Sequence, residues 1–121
     1  MKKSKILVID DNYEFLESIN DILMYERYEV LSAQDGEKGL SLARQNKPDL
    51  ILCDISMKQK DGFTVLKELQ QHETTSSIPL VFITAHAEES KITKSTRMGA
   101  KGYLVKPFTR KELIEIITRS L

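Results

Sequence analysis

Leu50-Ile51-Leu52-Cys53-Asp54 decides the fold. Four consecutive apolar residues are too few for a helix and show no polar alternation. Such a run reads as a short strand covered on both faces, as in the middle of a parallel sheet. It ends abruptly in a carboxylate. An unpaired carboxylate at the end of a buried strand loses several kcal/mol to desolvation. Asp54 therefore needs a partner or a function. The bland account is a structural ion pair with Lys106.

Four similar runs flank it: Ile6-Leu7-Val8-Ile9, Tyr28-Glu29-Val30-Leu31, Leu80-Val81-Phe82-Ile83 and Tyr103-Leu104-Val105. The first and the Leu80 run are also apolar throughout. Between the runs the apolar period changes to that of a helix. Residues 12–26 carry Phe15, Leu16, Ile19, Ile22 and Leu23. Residues 36–46 carry Leu40 and Ala43, and residues 63–72 carry Val65, Leu66 and Leu69. Residues 88–98 offer only Ile92 and Met98 as clear anchors. Residues 110–121 carry Leu113, Ile114, Ile117 and Leu121, opened by a capping box at Thr109 and Glu112. Gly99 is placed to end the fourth helix. Strand and helix alternate five times. The predicted class is α/β, a doubly wound (βα)5 unit with a five-stranded parallel sheet and right-handed crossovers.

The 121 residues fit one domain, taken as 1–121. Lys plus Arg and Asp plus Glu balance at 18 each, so no global charge draws the chain to nucleic acid or anionic lipid. No apolar run approaches the ~20 residues of a membrane span. The basic residues Lys2, Lys3 and Lys5 precede too short an apolar run for a signal peptide. Cys53 is the one cysteine and lies in an apolar run, so it reads as a buried small hydrophobe. A reducing, cytoplasmic setting is expected. The chain stops at its fifth helix with no linker, which suits a stand-alone protein.

In open α/β sheets ligands sit outside the carboxyl ends of the strands. Asp10 and Asp11 follow the first strand and Asp54 the third. Thr84 ends the fourth strand, and Lys106-Pro107 follows the fifth. Three carboxylates, a hydroxyl and an ammonium thus converge on one edge. Clustered carboxylates repel one another, and a divalent cation relieves the repulsion. Hard oxygen donors select Mg2+. A carboxylate can act as a nucleophile toward phosphorus, and phosphoryl transfer depends mostly on positioning and charge neutralisation. Singly, Asp10 or Asp11 would be read as a helix N-cap and Thr84 as a strand-end β-former.

Taken together, these motifs resemble the receiver domain of two-component response regulators. The resemblance rests on Asp10-Asp11, Asp54, Asp61-Gly62, Thr84-Ala85 and Tyr103-Leu104-Val105-Lys106-Pro107-Phe108, and it spans essentially the whole chain. It implies a flavodoxin-like sheet with strand order 2-1-3-4-5. It implies that Asp54 accepts a phosphoryl group from a histidine kinase or a histidine phosphotransfer protein. Asp11 and Asp54 would bind Mg2+ by their side chains, Asp10 mostly through water, and Ser56 by its backbone carbonyl. Thr84 and Lys106 would contact the phosphate, with Tyr103 as the switch aromatic and a cis bond before Pro107. Output to a downstream protein would use the face of the fourth helix, fifth strand and fifth helix. The implied state is a monomer or a weak phosphorylation-dependent dimer, without direct nucleic-acid binding or membrane insertion.

Met57, Lys58, Ala85 and His86 are expected on the site rim, and His72 at an exposed helix end. Gly62 is read as a turn residue without chemistry. The chain departs from the family at Lys58, where proline is usual, and at Lys60, where an apolar residue is common. Both lysines are expected to make the rim more basic. Lys101-Gly102 stand where a DNA-binding branch commonly carries acidic residues. An Asp-nucleophile phosphatase fits less well, because Ser56 occupies the position of its second acid. A phosphorylation-independent interaction module of the same fold is the other alternative. It would be expected to lack Asp54 or Lys106, and both are present.

Overall fold

All five apolar runs become strands in the computed structural model, which describes residues 2–121. They are β1 (Lys5–Ile9), β2 (Glu29–Ala33), β3 (Leu50–Cys53), β4 (Leu80–Thr84) and β5 (Gly102–Val105). Their order in the sheet is β2-β1-β3-β4-β5, with every pairing parallel. The intervening helices are α1 (Tyr13–Tyr25), α2 (Gly36–Asn46), α3 (Gly62–Gln71), α4 (Glu89–Met98) and α5 (Arg110–Ser120).

Alternation along the strands divides the core between two faces. Ile6, Val8, Leu50, Leu52, Val81 and Ile83 pack against Leu16, Ile19 and Leu23 of α1 and Leu113, Ile116 and Ile117 of α5. Leu7, Ile9, Ile51, Cys53 and Phe82 face the other way, onto Leu40 and Ala43 of α2 and Val65, Leu66 and Leu69 of α3. Cys53 is a fully buried free thiol, and burial pushes its pKa well up, which suits a core residue. Among the described residues, no helix is long and apolar enough to cross a membrane.

Several local expectations shift. β2 begins at Glu29 and runs on to Ala33, because the Tyr28 amide is used to close α1 on the Leu23 carbonyl (3.0 Å). Neither Asp10 nor Asp11 caps α1. Asn12 does so, accepting from the Phe15 amide at 3.1 Å, which leaves both carboxylates for other work. In α5 the buried stripe is Leu113, Ile116 and Ile117, while Leu121 is exposed and Ile114 half-buried. In α4 the expected anchors Ile92 and Met98 are only half-buried. The buried residue is Ser95, whose hydroxyl donates to the Ile92 carbonyl at 2.7 Å.

Helix ends otherwise follow their local chemistry. Gly99 closes α4 in the left-handed conformation at φ 93°. At α5 the Thr109 hydroxyl accepts from the Glu112 amide (3.1 Å), and the Glu112 carboxylate accepts from the Thr109 amide (2.8 Å). By contrast, α4 starts at Glu88 with no side-chain cap. A helix with a thin apolar face and no cap opens more easily than its neighbours.

Thr109→Ala removes one half of the reciprocal cap and is expected to lower stability by about 1 kcal/mol. Urea unfolding followed by circular dichroism measures this. An unchanged midpoint would mean that docking alone holds the start of α5.

Candidate functional site

Strand register builds the site. Ile9 lies beside Cys53, so the residues that follow, Asp10 and Asp54, emerge side by side. The Asp54 amide donates to the Ile9 carbonyl at 3.0 Å, and the Asp10 amide to the Ala33 carbonyl at 3.0 Å. Thr84 pairs with Val105, and the Lys106 amide donates to the Thr84 carbonyl at 2.8 Å. The acids, the hydroxyl and the ammonium thus leave the sheet at one level.

Asp10, Asp11 and Asp54 each offer a carboxylate oxygen within 4.8 Å of the others. Asp10 is 1% exposed and Asp54 9%, whereas Asp11 faces solvent. Lys106 Nζ pairs with Asp10 Oδ2 at 2.9 Å, not with Asp54. The other Asp10 oxygen accepts from the Asn12 amide at 2.9 Å. The Lys106 ammonium also sits 3.9 Å from the centre of the Phe15 ring, whose face attracts positive charge. The Lys106-Pro107 peptide is cis.

Asp54 is held above the ordinary carboxyl pKa, first by burial and then by the charge of Asp10. The Lys106 ammonium, the Thr84 hydroxyl and the Ile55 amide pull the other way. The Ile55 amide donates to Asp54 Oδ1 at 2.8 Å. Three carboxylates therefore share one ammonium, and the donor set is all oxygen. That suits a hard divalent cation, with Asp11 giving solvent access.

Thr84 is fully buried, and its hydroxyl accepts from the His86 amide at 3.3 Å. Ala85 is exposed. His86 joins three segments. Its Nε2 meets the Ser56 hydroxyl, and its Nδ1 lies 3.1 Å from Lys91 Nζ and 3.3 Å from the Glu88 carboxylate. Its carbonyl accepts from the Tyr103 hydroxyl at 2.8 Å. The Tyr103 ring meets Phe82 edge-on at 6.3 Å, and Phe82 meets Phe63 at 5.3 Å. His72 lies exposed at the end of α3, away from this group.

The loop from Ser56 to Asp61 has no proline, and Gln59 takes a left-handed φ of 67°. The Lys60 amide closes this tight turn on the Lys58 carbonyl at 2.7 Å. Lys58 is exposed and Met57 half-buried, both on the rim. Lys60 departs from expectation. Its ammonium pairs with Glu68 at 2.6 Å and Glu37 at 3.4 Å, so its charge is used to tie the loop to α2 and α3. Glu68 is the main reason that Lys60 holds its proton more tightly than usual.

Gly62, taken from the sequence as a turn residue beside Asp61, is also packed too tightly against the Asp54 backbone to carry a side chain. Its amide donates to the Ile55 carbonyl at 2.8 Å. A Cβ there would lie 2.3 Å from the Asp54 carbonyl oxygen and 2.9 Å from Ile55 Cα, both backbone atoms. The available signal was its fixed place just after Asp61, which caps α3 by accepting from the Thr64 amide at 2.8 Å. Phe15, beneath Lys106, was read only as a core residue.

The family model of the response regulator receiver domain matches residues 6–118. The chain belongs to this family. This receiver domain is 34% identical to the protein PilH of Pseudomonas aeruginosa over 118 residues, covering 98% of each chain. It is 38% identical over 113 residues to a probable transcriptional regulator ycf27 of Porphyridium aerugineum, covering 93% of this chain and 46% of that one. The receiver domain therefore spans about half the length of several curated relatives it matches. The solved structure of the Vibrio cholerae chemotaxis protein CheY4 superposes with a TM-score of 0.94 at 28% identity, over 99% of this chain and all of that one.

Two outcomes follow for this receiver domain. Gly62→Ala forces the acceptor loop to move and is expected to destabilise the fold by about 1–3 kcal/mol, read from urea unfolding. The second concerns Asp54, whose raised pKa means that the unfolded chain releases this proton more readily. Stability then falls as pH rises from the unfolded to the folded pKa, and the penalty is constant above both. Asp54→Asn removes it. Solvent screening at the open side of the cleft keeps the effect modest, so a small gain in stability is expected at neutral pH, vanishing toward acid pH. A gain independent of pH would point to packing instead.

Proposed function

We propose that residues 1–121 work as one Mg2+-dependent phosphoaspartate switch with Asp54 as acceptor. The observation that carries this is the meeting of Asp10, Asp11 and Asp54 within 4.8 Å beside the Lys106 ammonium. In the proposed step a carboxylate oxygen of Asp54 attacks the phosphorus of a phosphohistidine. The P–N bond breaks, and the imidazole leaves with the bonding pair and takes a proton. Lys106 neutralises charge on the phosphoryl oxygens, and the Thr84 hydroxyl donates to one of them. Asp11, Asp54 and the Ser56 carbonyl would hold the Mg2+, with Asp10 acting through water. The bound ion supplies positive charge that offsets the carboxylates and the transferring phosphoryl group.

The donor is a histidine kinase or a histidine phosphotransfer protein. The domain promotes its own phosphorylation and the later hydrolysis of the acyl phosphate, and turns over no independent substrate. Thr84 and Tyr103 convert the new charge into a population shift on the face of α4, β5 and α5, which a downstream protein reads. The Tyr103 hydroxyl already reaches across to the loop before α4, which supports that coupling. Direct binding to nucleic acid is not part of this reading. The setting is cytoplasmic, and the assembly state a monomer or a weak phosphorylation-dependent dimer.

Incubation with Mg2+ and acetyl phosphate, followed by intact-mass measurement, tests the assignment. One phosphoryl group is expected on the wild type, with none on Asp54→Asn and none when the ion is chelated. Lys106→Ala is expected to slow labelling by at least about tenfold. Labelling that survives Asp54→Asn would refute Asp54 as acceptor.

A further inference from the structure

Beside the acid cluster, two clefts between α3 and α4 and a third along α4 share one side chain, Lys94. The first starts at Asp11 and runs past Met57 and Lys58. The second lies along α4 between Glu89 and Arg97. The third passes over Asp61 and Lys67 to Met98. Together they form a trough leading from the acceptor site down the α3–α4 face. At its far end Gln70 Nε2 donates to the Met98 carbonyl at 2.6 Å and ties the two helices together.

The charge of the trough is unlike that of the chain. The whole sequence is neutral. Yet Lys58, Lys67, Lys94 and Arg97 line these clefts, and none of them forms an ion pair among the described residues. Lys91 adds a fifth cation, partly offset by Glu88 at 3.7 Å. Lys94 is also preplaced, with its ammonium 4.4 Å from the centre of the Phe63 ring. A cation held this way loses little freedom when it meets an anion. Half-buried Met57 and Met98 provide adaptable apolar contact at the two ends.

We propose that this trough docks an acidic segment of a partner protein, with carboxylates facing Lys58, Lys67, Lys94 and Arg97 and an apolar side chain against a methionine. A nucleic acid fits the same surface less well. Asp11, Asp61 and Glu89 stand on the walls and repel a continuous phosphate backbone. The Phe63 ring, 8% exposed beneath Lys94, offers no open face for base stacking. A peptide can match the mixed walls, giving carboxylates to the lysines and backbone N–H groups to Asp61 and Glu89. The first cleft shares Asp11 and Ser56 with the proposed metal site, but the docking contacts fall on Lys58, Lys67, Lys94 and Arg97, so docking does not rest on the phosphoaspartate reading.

The test uses the unphosphorylated chain and a fluorescein-labelled probe peptide in which leucines are flanked by glutamates. A matched peptide carries glutamine for every glutamate. Anisotropy gives affinity, and amide chemical shifts of the labelled protein give location. The acidic probe is expected to bind and to shift residues 58, 63, 67, 94 and 97. Lys94→Glu and the separate variant Lys67→Glu are each expected to weaken it about fivefold or more, with Lys111→Glu on α5 as an inert control. Binding should also weaken with added salt. Equal binding of the glutamine peptide, shifts elsewhere, or equal loss in Lys111→Glu would each overturn the proposal. So would tighter, Lys94-dependent binding of a short single-stranded oligonucleotide. Because no phosphodonor is present, failure here leaves the role of Asp54 untouched.

Discussion

Mutual repulsion among Asp10, Asp11 and Asp54 is the constraint on which this structure turns. Two of the three are almost wholly covered, and all three bring oxygens within 4.8 Å. Buried like charges are tolerated only when something answers them. Lys106 answers part of the charge through Asp10, and the Ile55 amide another part through Asp54. Burial first, and then the charge of Asp10, still hold the Asp54 pKa above its ordinary value. The fold accepts this strain because the register Ile9 beside Cys53 leaves the acids no other place. In the proposed switch, what destabilises the protein is what would prepare it for a cation and a phosphoryl group.

Much of this was legible in the chain. Uninterrupted apolar runs such as Leu50–Cys53 state that a strand is covered on both faces, and the residue after each run must then lie at the sheet edge. From that alone Asp10, Asp54 and Lys106 converge, and the strand order came from the resemblance. Pairing was less legible. A sequence does not say which of three acids an ammonium will choose, and Lys106 chose the most buried one. The bland alternative for Asp10 and Asp11, capping α1, falls away because Asn12 takes that role by accepting from the Phe15 amide. Gly62 was opaque for another reason. Its importance lies in the absence of atoms, and only the distance to the Asp54 carbonyl reveals it.

The acceptor loop shows how one substitution of character can be compensated by another kind of interaction. Proline restricts a loop through its own ring. Here Lys58 and Gln59 leave the backbone freer, and Gln59 adopts a left-handed angle that few residues favour. The restraint comes instead from Lys60, whose ammonium bridges Glu37 on α2 and Glu68 on α3. Such a restraint is electrostatic and so depends on salt, unlike a ring. It also removes Lys60 from the basic rim, so the free positive charge lies on Lys58 and, further along, on Lys67, Lys94 and Arg97.

The weakness of α4 then takes on meaning. A helix whose one buried residue is Ser95, and whose start at Glu88 has no side-chain cap, is held to the domain by little apolar area. One side of it touches His86 and Tyr103 through the loop that precedes it, and the other side forms the wall of the basic trough. In the proposed switch, a change at Asp54 would reach α4 through Thr84, whose hydroxyl accepts from the His86 amide. An acidic segment in the trough would reach the same helix through Lys94. Two ligands that bias one loosely held element must influence each other by equal amounts, whichever binds first. A helix so loosely held costs little to shift, so the thin core beneath α4 favours such coupling between acceptor and partner.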